Sequence, residues 1–225
     1  PIGQLVAHGG HNGADHGCFR HEHHRAERHL AARLQPEPGL PIGNGFGRRG
    51  VVGGVSHQLA AGVMHETGHN LGLKHGHATQ NGHGTLFPTL PADHNSYEYS
   101  VMTYSQFPGD TGSGDNAPDH PTTFMIDDIL ALQYMYGANY GFNSGNTTYA
   151  WNQFTGQSFV NGVGGLTPES NFILMTVWDG GGTDTYDFSN STTNLEVDVQ
   201  PGGWTTVSDE QLGDPDEFFD HQLLG

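Results

Sequence analysis

Between residues 125 and 139 the apolar positions recur with a helical period: Ile126, Ile129, Leu130 and Gln133 are spaced to share one mostly apolar face. Thr122 or Thr123 can cap this helix, Asp127 and Asp128 suit its positive first turn, and Gly137 ends it. Beyond residue 140 the texture changes to short runs of Thr, Val, Phe, Tyr and Trp broken by Gly and Asn, which reads as β structure with many turns. Upstream, the first convincing strand run is Val51-Val52-Gly53-Gly54-Val55. The pattern predicts an α+β fold.

Composition divides the chain further. Residues 1–58 contain no Thr, Tyr or Trp, and residues 1–49 hold seven of the 16 histidines and six of the seven Lys and Arg residues. That opening stretch carries +2 and the remainder −19, which together give the formal −17. A divergent subdomain, a disordered His/Arg/Gly-rich tract and a translation artefact are all compatible with it. His21-Glu22-His23-His24 is a compositional metal-scavenging signal only. The acidic remainder argues against nucleic acid, whose phosphates need Lys and Arg. One cysteine, Cys18, excludes an intrachain disulfide, and no 18-residue apolar run exists to span a membrane. The start shows no charged-then-apolar signal peptide.

The strongest chemical signal is His65-Glu66-Thr67-Gly68-His69-Asn70-Leu71-Gly72-Leu73-Lys74-His75, which fits HExxHxxGxxH. On a helix, His65 and His69 share a face and can offer two imidazoles to one metal, while Glu66 reaches the water beside it. A left-handed glycine at 72 would stop the helix and bring His75 round as a third nitrogen, leaving one tetrahedral position open. A composition-matched random chain would contain the five fixed letters roughly once in two thousand trials, so a helix with surface histidines is the weaker alternative. Gly62 and Gly68 each cost that helix about 1 kcal/mol against alanine.

Ser100-Val101-Met102-Thr103-Tyr104 follows, with Met102 27 residues beyond His75. Together these motifs resemble those of metzincin zinc endopeptidases, and SVM(S/T)Y is similar to the serralysin branch of peptidase family M10. The segment ending Tyr136-Gly137-Ala138-Asn139 is also closely similar to a serralysin helix. The resemblance covers residues ~59–212. It implies one catalytic Zn²⁺ on His65, His69 and His75, with Glu66 as general base. It further implies that Tyr104 is a zinc ligand at rest and an oxyanion donor during reaction, and that Met102 lies beneath the imidazoles without chemistry. Gly76 stands where the family usually has proline, which would loosen the loop carrying His75.

Trp178-Asp179-Gly180-Gly181-Gly182-Thr183-Asp184 resembles the serralysin stretch that opens a calcium-binding β-roll. By that resemblance Asp179, Gly181, Gly182 and Asp184 bind structural Ca²⁺ from one side and Asn143, Gly145 and Thr147 from the other. Hard Ca²⁺ takes about six to eight oxygens, which carboxylates set among glycine-rich carbonyls can supply. Full GGxGxDxxx repeats are absent. The expected organisation is therefore 1–58 unassigned, 59–139 a catalytic core of zinc helix, Met-turn and C-terminal helix, and 140–225 the beginning of a calcium-binding β-roll or β-sandwich.

These implications converge on a secreted, extracellular, bacterial, zinc-dependent endopeptidase acting on protein or peptide substrates, monomeric and exported by type I secretion. A fragment or truncated product is expected, because family members carry repeats and a secretion tail beyond the point reached at Gly225. The alternatives are a catalytically inactive zinc and calcium binding module and a β-roll scaffold in which calcium alone matters. The loop from Gly76 to Tyr99 supplies no size or charge filter for a cleavage preference.

Overall fold

The computed structural model describes residues 57–82, 85–106, 110, 120–168, 170–208 and 211. The strand run at 51–55, Cys18 and the histidine tract at 21–24 lie outside the described residues, as does most of the 1–58 segment. The described fold is a mixed one with two helices and short strands. Helix α1 spans His57–Asn70 and helix α2 spans Ile126–Tyr136. Strands β1 (Gln80–Gly82) and β2 (Thr85–Phe87) form a hairpin. Strands β3 (Thr148–Trp151), β4 (Ser158–Val160), β5 (Val163–Gly164) and β6 (Thr185–Asp187) form a sheet in the order β5-β4-β3-β6. In that sheet β3 and β6 run parallel and the other pairs antiparallel. A last antiparallel pair joins β7 (Glu196–Val197) to β8 (Thr205–Thr206).

Two apolar clusters hold these elements. One gathers Leu73, Tyr97, Val101, Met102, Met125, Phe172 and Leu174; the other gathers Tyr149, Trp151, Ile173, Met175, Val177 and Val207. Residues 172–177 therefore send alternate side chains into different cores, the period-2 behaviour of extended chain. One buried segment couples the histidine-bearing half to the sheet, so neither core is complete without it.

The second helix begins differently from the sequence expectation. Its N-cap residue is Met125, whose N–H donates to Asp128 Oδ2 at 3.0 Å. Thr122 and Thr123 do not cap it, because their hydroxyls instead donate to Leu174 O and Thr176 O at 3.4 and 3.3 Å, docking the 172–177 segment. Of the face predicted from Ile126, Ile129, Leu130 and Gln133, Ile126 is buried and the other three are half-buried. The residues that meet the first cluster are Met125, Ala131, Leu132 and Met135, with buried Asp128 on the same stripe. Gly137 ends the helix as expected, at φ 81° with its N–H on Gln133 O at 2.8 Å.

Asp127, in the first turn, is buried against the loop before Ser100. Its N–H donates to Tyr99 O, and its Oδ2 accepts from His94 Nδ1 at 2.9 Å. Burial alone would lower the His94 pKa, but the hydrogen bond and charge of Asp127, with Asp93, outweigh it and the net shift is upward. A histidine raised in the folded state stabilises fully below its unfolded pKa of 6.5 and loses that contribution as pH rises through the folded value. Urea midpoints should therefore fall from pH 6 to pH 8 more steeply in the wild type than in Asp127→Asn. Equal slopes would show that the pair does not couple to folding.

Candidate metal centre

The first helix delivers two histidines to one face and then has to stop. His65 and His69 stand edge to face with ring centroids 4.8 Å apart. Gly72 adopts φ 94°, a conformation that L residues with a Cβ rarely hold. Leu73 N–H then returns to Gly68 O at 2.9 Å, and the chain turns back over the helix end. This places His75 Nε2 3.1 Å from His65 Nε2 and 3.0 Å from His69 Nε2. Among the described residues, these three form the one group of His, Cys, Asp or Glu able to hold a metal ion.

The outer nitrogens decide which tautomer faces inward. His65 Nδ1 donates to Val101 O at 2.8 Å, and His69 Nδ1 donates to Leu73 O at 2.9 Å. Each carbonyl can only accept, so the proton lies on Nδ1 and the Nε2 lone pair points into the cluster. Converging lone pairs at this spacing repel unless a cation lies among them. Tetrahedral zinc bonded to nitrogen at about 2.0–2.1 Å would separate its ligands by roughly 3.3 Å, so the donor set fits zinc. Burial lowers the His75 pKa, and the neighbouring His69, His65 and His77 lower it further against the opposing pull of Glu66. A ligand imidazole must be neutral, and this environment favours that form.

Tyr104 and Met102 arrive on the turn 100–104. The Tyr104 hydroxyl lies 3.0 Å from His75 Nε2, so the structure brings it to the three histidines. Glu66 is exposed and lines a cleft of about 330 Å³ together with Met64, His65, Tyr97, Val101 and Tyr104. Met102 is 1% exposed beneath the helix. A Cβ at Gly68 would lie 2.4 Å from Met102 Sδ, so Gly68 is there to admit the methionine and not merely a weak helix residue; at Gly62 a Cβ would meet open space.

Several residues that position the site carry no signal in the linear motif. Asp128, 3% exposed, accepts from Ser100 Oγ at 2.6 Å, Val101 N–H at 2.8 Å and Met125 N–H at 3.0 Å. Burial pushes its carboxyl up to about 7 against those three donors. Lys74 Nζ donates to His75 O at 3.0 Å and Ala78 O at 2.9 Å, clamping the turn after the third histidine. The expectation of a loose loop at Gly76 is corrected here: its N–H donates to Met102 O, its carbonyl accepts from Leu90 N–H, and a Cβ there would require the Leu90 side chain to shift. Proline at this position would lose the bond to Met102.

The residues named for the other sequence-predicted site lie on two loops joined by hydrogen bonds. Thr147 N–H donates to Asp184 Oδ1 at 2.7 Å, and Thr147 Oγ1 lies 3.1 Å from Gly145 O and 3.4 Å from Asn143 O. Asp179, fully buried, accepts from Gly181 N–H at 2.8 Å and from the Tyr149 hydroxyl at 2.6 Å. Asn143 Nδ2 is 3.0 Å from the same hydroxyl, and burial, followed by the bond to Asp179, raises the Tyr149 pKa. Gly182, at φ 123°, lies so close to Gly145 O that a Cβ would clash at 2.3 Å. Among the described residues, Asp184 Oδ2 is buried without a hydrogen-bond partner. An orphaned carboxylate oxygen on a loop hydrogen-bonded to Thr147 and packed against Gly145 O fits the donor chemistry of Ca²⁺.

Residues 138–209 match the family model described as Peptidase M10 serralysin C terminal. The chain is 34% identical over 148 residues to Metallopeptidase AprA of Pseudomonas marginalis, covering 64% of this chain and 30% of that protein. It is 35% identical over 148 residues to Serralysin C of Dickeya chrysanthemi, covering 64% of this chain and 29% of that protein. It is 33% identical over 155 residues to Serralysin of Proteus mirabilis, covering 64% and 28% respectively. The chain thus spans under a third of the length of these curated relatives.

Proposed function

Because this chain is of serralysin type, peptidase family M10, over the region it shares with these metallopeptidases, we propose that it is a secreted, zinc-dependent endopeptidase hydrolysing peptide bonds of protein substrates. The observation that carries the reading is the convergence of three Nε2 lone pairs whose outer nitrogens are tied to Val101 O and Leu73 O. Residues 59–139 would form a metzincin-like catalytic core and residues 140–225 the beginning of a calcium-binding domain.

His65, His69 and His75 would hold zinc, with Tyr104 as a fourth donor at rest. When bound, zinc supplies a Lewis acid that polarises a carbonyl and makes water more acidic. Glu66, in the cleft beside His65, takes a proton from the attacking water on its carboxylate and hands it to the leaving amine nitrogen. Tyr104 leaves its place at His75 and donates its hydroxyl hydrogen to the developing oxyanion. Met102 supports the imidazoles from below. Nucleic acid has no place in this reading, and among the described residues no helix is long and apolar enough to cross a membrane.

The test is casein hydrolysis by the purified, calcium-loaded chain beside elemental analysis. About one zinc per chain is expected, with hydrolysis abolished by a zinc chelator and restored by added zinc. Bound zinc without cleavage would leave only a metal-binding module, and zinc near zero would remove the metal centre itself.

The loops at 143–147 and 179–184 would bind structural Ca²⁺. Asp184 Oδ2 would gain there a partner that it lacks among the described residues. A ligand held only by the native state stabilises by about 2.7 kcal/mol at a hundredfold excess over its Kd. For a chain of this size that corresponds to a Tm increase of roughly 5–10 °C. Calcium should produce such an increase in the wild type and a much smaller one in Asp184→Ala. A wild-type Tm indifferent to calcium and to its chelator would dismiss the site.

A further inference from the structure

We propose that His77 is a positioning residue that holds the Tyr104 ring over the converging imidazoles; its kinetic consequence rests on the peptidase reading, and its structural part does not. Two imidazole rings besides that of His75 pack against Tyr104. His65 stacks on one side, with centroids 5.6 Å apart and planes 20° apart, and His77 flanks the ring at 4.6 Å and 37°. His77 in turn stacks on His75 at 5.1 Å and 18°. The rings of His65, Tyr104, His77 and His75 thereby form a closed circuit of contacts, and the Tyr104 hydroxyl meets His75 Nε2.

A single hydroxyl contact cannot fix a side chain that rotates about two bonds, and Tyr104 is 37% exposed. Its orientation has to come from the flat rings packed against it. One wall, His65, is anchored by Val101 O. The other wall is His77, and its backbone is held across the turn by the Lys74 ammonium on the carbonyls of His75 and Ala78. Among the described residues His77 makes no hydrogen bond, and its Nδ1 is buried without a partner. Buried polar atoms are usually satisfied, so an unsatisfied one needs an explanation other than hydrogen bonding. The face of the ring, packed between His75 and Tyr104, supplies it.

Such a wall matters because Tyr104 has two tasks in the proposed reaction, and both need the hydroxyl to return to one place. The test compares wild type, His77→Ala and His77→Phe by NMR and kinetics. In the zinc-stripped chain, cross-relaxation between the Tyr104 ring and His65 is expected in the wild type, lost in His77→Ala and recovered in His77→Phe, which restores a flat ring. In the zinc-loaded chain, His77→Ala is expected to lower kcat about tenfold with KM within about twofold, and to add nothing in a Tyr104→Phe background. Tyr104–His65 cross-relaxation that survives His77→Ala would overturn the proposal, as would a His77→Phe variant indistinguishable from alanine. Absent hydrolysis in the wild type would count against the peptidase reading alone, because the NMR comparison decides the role of His77 without it.

Discussion

Glu66→Ala is expected to bind zinc as the wild type does and to lose peptide hydrolysis by a factor of about 10²–10⁴. The separation of the two effects follows from geometry. The imidazoles that would hold the metal are oriented by Val101 O and Leu73 O, and Glu66 takes part in neither bond. Its carboxylate faces the cleft between His65 and Tyr104, where an attacking water would stand. Removing it leaves the ligand cluster intact and takes away the one carboxylate among the residues lining that cleft. Glu66→Gln, which keeps the shape and loses the basicity, should fall as far as alanine; a glutamine variant near wild type would mean that Glu66 positions substrate and does not move protons. Casein hydrolysis and zinc content measured on one preparation of each variant decide between these roles.

What was legible in the sequence is what local geometry controls. The spacing of His65 and His69 needs only a helix, and the third histidine needs only a glycine able to adopt φ 94° at residue 72. The turn at 100–104 and the glycine-bearing loops at 143–147 and 179–184 were likewise found as short motifs, and the fold brings Tyr104 to His75 and Asp184 to Thr147. What failed was what depends on a distant partner. Thr122 and Thr123 have the chemistry of a helix cap, yet residues 172–177 claim their hydroxyls. Asp128 was read only as an acid suited to the positive first turn of the second helix, yet the turn at 100–104 docks on it through Ser100 and Val101. His77 and Lys74 fall outside any fixed position of the metal motif, so only the folded turn shows that one flanks Tyr104 and the other clamps the carbonyls around it.

Asp128→Ala should destabilise the fold by about 3–5 kcal/mol and weaken zinc binding with it. The carboxylate accepts three hydrogen bonds at a position 3% exposed, and alanine would leave the Ser100 hydroxyl and the Val101 and Met125 amides without an acceptor. Each abandoned buried donor costs about 1–3 kcal/mol, against a total stability of about 5–15 kcal/mol for an ordinary domain. The consequence reaches the histidine cluster through Val101 and Ser100. Val101 donates its N–H to Asp128 and accepts His65 Nδ1 on its carbonyl, while Ser100 Oγ also receives Met102 N–H. A turn released from Asp128 therefore loses its hold on the His65 tautomer and on the methionine beneath the site at once. Ser100→Ala removes one of the three bonds and should give a smaller loss of the same kind. Urea unfolding and competition for zinc with a chromophoric chelator provide the measurement: the two losses should appear together and in the order Asp128→Ala, Ser100→Ala, wild type. If stability fell while zinc affinity held, the carboxylate would serve the helix start at Met125 alone, and the orientation of His65 would have to be secured by the first helix without help from the turn.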